Sequence, residues 1–368
     1  MNKKFIAGIL SLTMMAALVG CGGSKSNETD SKEVEKVETT EEKKEEKKEE
    51  KKEEKKEDTS TSEKVGETVL KLSFNQSIEN PEAQTIMELS DDLYDATEGR
   101  YSIEVYPNEQ LGNQKDSLES VQNGAIEMAL VANTIVENVN SDFAIIGTPY
   151  VYDSIEHQQK VFESGELDEL FATTDKNGFK TLAAYSLGAR CLYGKKEYKA
   201  PEDLSGQKIR VMQSETMTKM MELMGGVPTP MAQGDVYSAI QSGTLDGAEN
   251  NIITYVDLLQ YEVAPYFSVS NHLMIPDELI ISKTVFDSMS EEDQEALIKL
   301  SKESIPVAFK KCADLREEYF NKAKDELGVT VTELDIKPFQ ENLKPMIEEI
   351  AGKSELSQKA YETIESMK

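Results

Sequence analysis

Histidine occurs only at positions 157 and 272 of the 368-residue chain, so chemistry that needs clustered imidazoles has little to work with. Cysteine is almost as scarce, with three residues, and no His/Cys group has the spacing of metal ligands. Phosphate-cradling loops are missing too: Gly225-Gly226 lacks the Lys-Ser/Thr pair of a P-loop, and no G-x-G-x-x-G occurs. Acid pairs abound, but among 69 Asp and Glu residues no single pair carries weight. Nothing supplies a nucleophile beside a base, so these absences argue against an enzyme and against any cofactor or metal. A formal net charge of −29 likewise argues against nucleic acid or an anionic lipid surface as the main partner. Arginine is the informative scarcity, standing only at Arg100, Arg190, Arg210 and Arg316 among many lysines. Only the planar guanidinium fork grips a carboxylate with two parallel hydrogen bonds.

The N-terminus has Lys3 and Lys4 followed by an apolar run from Phe5 to Val19, short for a bilayer span of about 20 residues. It reads as an export signal over residues 1–20. Its end, Leu18-Val19-Gly20-Cys21, resembles a bacterial lipobox, in which the cysteine is lipidated and then becomes the new N-terminus. An uncleaved transmembrane anchor is the alternative, and either reading puts the body outside the cytoplasm. Residues 21–66 are nearly devoid of apolar side chains, and Glu41 to Asp58 repeats Glu-Glu-Lys-Lys. A four-residue period sets like charges at every i,i+4 position, so the segment reads as a solvated, flexible spacer. The remaining Cys191 and Cys312 read as thiols packed in the core, with pairing in an oxidising compartment the alternative.

From Thr68 onward the pattern is globular. Val69–Asn75 alternates like a strand, Pro81–Thr97 has Ile86, Leu89 and Leu93 at helical spacing, and Tyr101–Tyr106 alternates again. Gln114–Gln122 predicts a helix and Ile126–Ala132 a buried strand. Alternating strands and helices predict a parallel sheet with helices on its faces. A second set repeats the grammar, with strands at Phe179–Ser186 and Gln207–Val211 and helices at Ser214–Met224 and Asp235–Gln241. Beyond Glu291 the text is helical, broken by a strand at Val329–Leu334. Two such sets joined by crossing segments predict two lobes and a cleft. Arg210 stands where a strand gives way to a helix, so its side chain and the helix N-terminus both suit an anion. Arg190, at a strand end, reaches toward the same space; structural ion pairing is the alternative for both.

The stretch from Leu204 to Asn251 carries Leu-Ser-Gly-Gln-Lys-Ile-Arg210-Val, then Gly225-Gly-Val-Pro-Thr-Pro-Met231, Asp235-Val-Tyr-Ser-Ala-Ile-Gln-Ser-Gly243 and Asp246-Gly-Ala-Glu-Asn250-Asn251. Tyr106-Pro-Asn-Glu-Gln-Leu-Gly112, Thr148-Pro-Tyr150 and Asn271-His272 leading into Pro276 support it. In that order the chain resembles the periplasmic solute receptors of TRAP transporters, the dicarboxylate-receptor (DctP-type) family, over roughly Thr68 to Ala351. The resemblance implies an α/β, two-lobed, periplasmic-binding-protein-like fold with a hinge and a long connecting helix. Residues 67–368 are then the solute-binding domain: one lobe of about 67–188 plus a returning segment of about 278–320, the other of about 189–277 plus the C-terminal helices.

The resemblance also assigns roles. Arg210 matches the arginine that forms a two-pronged salt bridge with the ligand carboxylate, and Asn250 hydrogen-bonds the same group. Arg190 matches a second, less uniform ligand arginine. Asn75, Gln76, Gln114 and Asn133 match the first lobe's contribution; Met212, Gln213 and Gln233 line the second, and His272 lies near. Relatives often carry an aromatic where Gln233 stands and a proline where Met212 stands. With Gln114, this favours a hydroxylated ligand: a sugar acid first, a C4-dicarboxylate second. The expected partners are that small carboxylate, TRAP membrane subunits and, through Cys21, the membrane, with the receptor a monomer that binds no nucleic acid. A receptor for an ATP-driven importer and a ligand-sensing lipoprotein are the competing readings.

Overall fold

The structure, a computed structural model, describes residues 64–368. The export signal, Cys21 and all but the end of the charged spacer lie outside the described residues.

The first strand alternates in burial as its sequence alternates in polarity. In β1 (Thr68–Ser73) Leu70 and Leu72 are buried while Lys71 is exposed, as a period of two requires. β2 (Tyr101–Tyr106) pairs with it in parallel, and β3 (Met128–Ala132) is buried along its whole length because helices cover both faces. β4 (Phe179–Tyr185) completes the first run. The chain then crosses to β5 (Arg190–Gly194), β6 (Lys208–Val211), β7 (Val227–Pro230), β8 (Gly247–Asn250) and β9 (Tyr266–Leu273). β10 (Asp277–Ser282) returns to the first sheet and β11 (Thr330–Glu333) joins the second. The sheet orders are β2-β1-β3-β10-β4 and β11-β9-β5-β8-β6-β7.

Neither sheet is purely parallel, in contrast to the expectation from the sequence. β10 lies antiparallel between β3 and β4, and β5 lies antiparallel between β8 and β9. Both strands adjoin a crossing between lobes, so each runs against the strands that the local βα units laid down. The crossings place Leu187, Gly188 and Ile275 between the sheets. At Gly188 φ is 95°, a left-handed conformation that favours glycine, and an added Cβ would sit 3.0 Å from Arg316 Nη1.

Helix starts follow local capping chemistry. Asn80 accepts from the Glu82 N–H ahead of helix Pro81–Ala96, and Asn113 accepts from the Lys115 N–H ahead of helix Gln114–Gln122. The long helix Glu291–Asp325 packs on helix Pro81–Ala96 and β4 of the first lobe, then on helix Ile252–Asp257 and β11 of the second. The two C-terminal helices, expected with the second lobe, divide instead. Helix Lys337–Ala351 touches both helix Glu215–Leu223 and the first lobe's segment Ser141–Gly147. Helix Glu355–Ser366 lies on the first lobe, where the His157 ring Nε2 is 2.9 Å from the Ile364 carbonyl oxygen and Ser354 donates to Asp142. Ala360 and Ile364 bury their apolar face there. Cys191 and Cys312 are both free and buried, so the described structure contains no bridge between them.

Candidate ligand-binding site

Arg210 comes from β6, whose register sets it between Thr229 of β7 and Ala248 of β8. Its side chain is only 2% exposed. Nε and Nη2 donate to the Met231 carbonyl at 3.0 and 2.8 Å, and Nη1 donates to Gln233 Oε1 at 3.1 Å. A guanidinium has five N–H donors. Each terminal nitrogen therefore keeps one N–H with no partner among the described residues. Nor has the charge a salt bridge among the described residues: Glu249 and Glu109 act on it only through space, and burial pulls its pKa down to about 10. A buried cation that no internal carboxylate neutralises, with one spare donor on each terminal nitrogen, is complementary to a carboxylate.

Asn250 ends β8 beside Cys191 of β5, a register that brings it to Arg190. Its Nδ2 donates to Gln233 Oε1 at 3.1 Å, so one oxygen joins Asn250 to Arg210. Gln233 Nε2 is buried without a partner among the described residues, as is Gln76 Oε1 across the cleft. Arg190 differs sharply from Arg210. Its Nε and Nη2 grip the Glu249 carboxylate at 2.6 and 2.8 Å, and Nη1 donates to Asn250 Oδ1 at 2.6 Å. Burial alone would raise the Glu249 pKa, but Arg190, aided by the nearby His272 ring, holds it down at about 2.

These side chains border two adjoining hollows between the lobes. One is lined by Asn75, Gln76, Gln114, Arg190, Met212, Gln233, Asn250 and Asp277 among others. The other is lined by Glu109, Gln114, Arg210, Met212, Gln213 and Gln233 among others. Gln114, Met212 and Gln233 belong to both walls. A larger and more open hollow lies at the hinge, against Tyr150, Arg316 and Glu333, and none of the expected ligand residues reaches it.

The lobes touch where the cleft closes. Asn138 donates to the Gln213 carbonyl at 3.0 Å, and Thr134 Oγ1 lies 3.5 Å from Met212 Sδ. Glu137 accepts hydrogen bonds from Ser214 and Thr216, at the start of helix Glu215–Leu223. The helix N-terminus that was expected to receive a ligand anion thus receives the Glu137 carboxyl from the opposite lobe, where burial outweighs these hydrogen bonds and favours the protonated acid.

The model of the bacterial extracellular solute-binding proteins of family 7, DctP, matches residues 72–354. The chain belongs to that family. This solute receptor is 33% identical to a TRAP periplasmic solute-binding protein of Anaerococcus prevotii solved with bound D-glucuronate, with a TM-score of 0.78 over 82% of this chain and 98% of that one. It is 32% identical to a counterpart from Xanthobacter autotrophicus with bound β-D-galacturonate, with a TM-score of 0.77 over 80% and 99% of the two chains. A solute-binding protein of Chromohalobacter salexigens shares 32% identity over 276 residues, 73% of this chain and 80% of that protein. The family's members are substrate receptors of transporters and carry out no catalysis; those of TRAP systems are periplasmic.

Two residues expected in the receptor's site stand outside both hollows. Asn133 is fully buried and donates from Nδ2 to the Phe143 carbonyl at 2.9 Å, tying β3 to the segment that follows. His272 bonds Ser270 Oγ through Nδ1 at 2.8 Å, while its Nε2 stands 3.5 Å from Glu249. Burial lowers its pKa, so it buttresses the Arg190–Glu249 pair. Sequence reasoning missed Glu249, although it stands inside the quoted Asp246–Asn251 motif, and missed Asp277, which directly follows Pro276. Nothing in an acidic chain marks one glutamate as the buried partner of one arginine.

Proposed function

We propose that this receptor closes its two lobes around a single sugar acid of the uronate or aldonate type, and hands it to the membrane subunits of an ion-gradient-driven TRAP transporter. In this reading the ligand carboxylate takes the two spare N–H groups of Arg210 and the neighbouring amides of Gln233 and Asn250. Asn75, Gln76 and Gln114 from the first lobe meet the hydroxyls on closure. The receptor acts as a monomer held at the outer membrane face by a lipid on Cys21. The observation that carries the proposal is the Arg210 guanidinium, buried without a carboxylate partner of its own among the described residues. Leaving such a cation unpaired in a closed cleft costs several kcal/mol, so neutral sugars should be rejected strongly. The relatives solved with glucuronate and galacturonate support the ligand class.

A thermal-shift and calorimetric panel of D-glucuronate, D-galacturonate, L-gulonate, succinate and D-glucose tests it. The sugar acids are expected to raise the melting temperature and bind one per chain, and glucose to do neither. A shift with glucose equal to that with the acids, or no shift with any acid, overturns the proposal.

A further inference from the structure

The candidate site is polar in one direction. Arg210 borders only one of the two hollows, and Asp277 borders only the other, with Gln114, Met212 and Gln233 forming the shared wall. An elongated ligand whose carboxylate meets Arg210 therefore points its far end toward Asp277. We propose that Asp277 reads that far end: it accepts a hydrogen bond from a ligand hydroxyl and excludes a second carboxylate, making this a site for monocarboxylate polyols rather than diacids. The inference rests on the sugar-acid reading and narrows it.

Asp277 is the first residue of β10, placed at the cleft by the crossing that leads back to the first sheet. Behind it stands Glu82, fully buried in the first turn of helix Pro81–Ala96. Neither Glu82 oxygen has a donor among the described side chains and backbone groups, yet the two carboxyls lie within hydrogen-bonding reach of each other. Two acceptor-only carboxylates cannot bond; with one proton between them they can, and the pair then carries a single negative charge. Burial pushes both acids upward, Asp277 to about 7, in keeping with a shared proton. The other groups that face the pair are Arg190 of β5, Tyr185 of β4, Glu278 of β10 and Cys312 of the long helix. Arg190 is the only cation among them, and Glu249 already neutralises it.

A hydroxyl at this end donates to Asp277 and leaves the shared proton in place. A carboxylate finds an acceptor instead of a donor, and a negative charge instead of a positive one. Sites built to bond one polar group discriminate strongly against an analogue that leaves the buried partner unmatched.

The test uses the purified full chain and calorimetry at pH 7.5. Whichever of D-glucuronate and D-gluconate binds more tightly is compared with D-glucarate, which carries a carboxylate at both ends of the same carbon chain. The wild type is expected to prefer the monoacid by at least tenfold. Asp277→Asn is expected to narrow that preference at least tenfold, weakening the monoacid and strengthening glucarate. Glu82→Gln removes the neighbouring acid but keeps Asp277, and is expected to preserve the preference. Glucarate binding as tightly as the monoacid in the wild type overturns the inference whether or not the variants fold. A preference that moves less than threefold in a folded Asp277→Asn protein overturns it as well. If the wild type binds no sugar acid, the reading of the site on which the inference stands falls with it, and that outcome is distinct from an unselective but genuine acid site.

Discussion

Replacing Arg210 with lysine keeps the positive charge and removes the fork. The guanidinium holds itself in place with two donors on the Met231 carbonyl and one on Gln233, which leaves one N–H on each terminal nitrogen for the ligand. Lysine has a single nitrogen, and once that nitrogen bonds Met231 or Gln233 it meets a carboxylate through one hydrogen bond at best. A charged hydrogen bond contributes about 1.5–3 kcal/mol, so Arg210→Lys should weaken binding of D-glucuronate by roughly 2–3 kcal/mol, or about 30- to 150-fold. Arg210→Ala leaves the ligand carboxylate in a closed cleft with no cation, which costs about 3–5 kcal/mol, or roughly 150- to 4,000-fold. Isothermal calorimetry measures both, and the ratio between them separates charge from fork geometry. Binding within threefold of wild type in both variants refutes the assignment of the carboxylate to Arg210. Equal losses in lysine and alanine would refute the narrower claim that charge retains part of the affinity.

Glu249→Gln removes the anion that neutralises Arg190; breaking a buried pair costs about 3–5 kcal/mol, so urea denaturation should show a loss of that order, and an unchanged midpoint would refute the pairing. The Glu249 carboxyl is held at about 2, below its ordinary value of 4.5, so its stabilisation is present above pH 4.5 and is lost as pH falls toward 2; Glu249→Gln should flatten the acid limb of the stability curve. Glu137 has the opposite sign. Burial at the lobe contact raises its pKa to about 7 against an ordinary 4.5, while Ser214 and Thr216 pull the other way. Closure therefore favours the protonated form, and ligand affinity should fall as pH rises from about 4.5 through 7, by at most roughly 3 kcal/mol. Glu137→Gln, which mimics the protonated acid, should reduce that slope and tighten binding at pH 8; a slope identical to wild type between pH 5 and 8.5 would contradict the assignment. Because Asp277 is also raised to about 7, the informative quantity is the difference between the two proteins.

How far the sequence could be read depended on whether a feature is local. Tyr101–Tyr106 forms the strand that its alternation predicts, and Gln114–Gln122 forms the predicted helix, with Asn113 as its cap. Ser214 caps the following helix by accepting from the Met217 N–H, as its position implied. Strand direction was not legible, because β5 and β10 take theirs from crossings between lobes and not from their own residues. The same distinction divides the two cleft arginines. Both are buried, and by composition, rarity and motif they look alike. What separates them is that Glu249, paired with Leu192 across the β5–β8 ladder, shares a face with Arg190 two residues away and meets its side chain diagonally, while Arg210 on β6 faces a carbonyl and an amide. A one-residue shift in the β5–β8 register would move Glu249 to the other face of the sheet and leave Arg190 without its partner. Which arginine keeps its charge for a ligand is thus decided by strand register, a property of two segments more than fifty residues apart, and Asn250 sits at that junction because it follows Glu249 in the same strand.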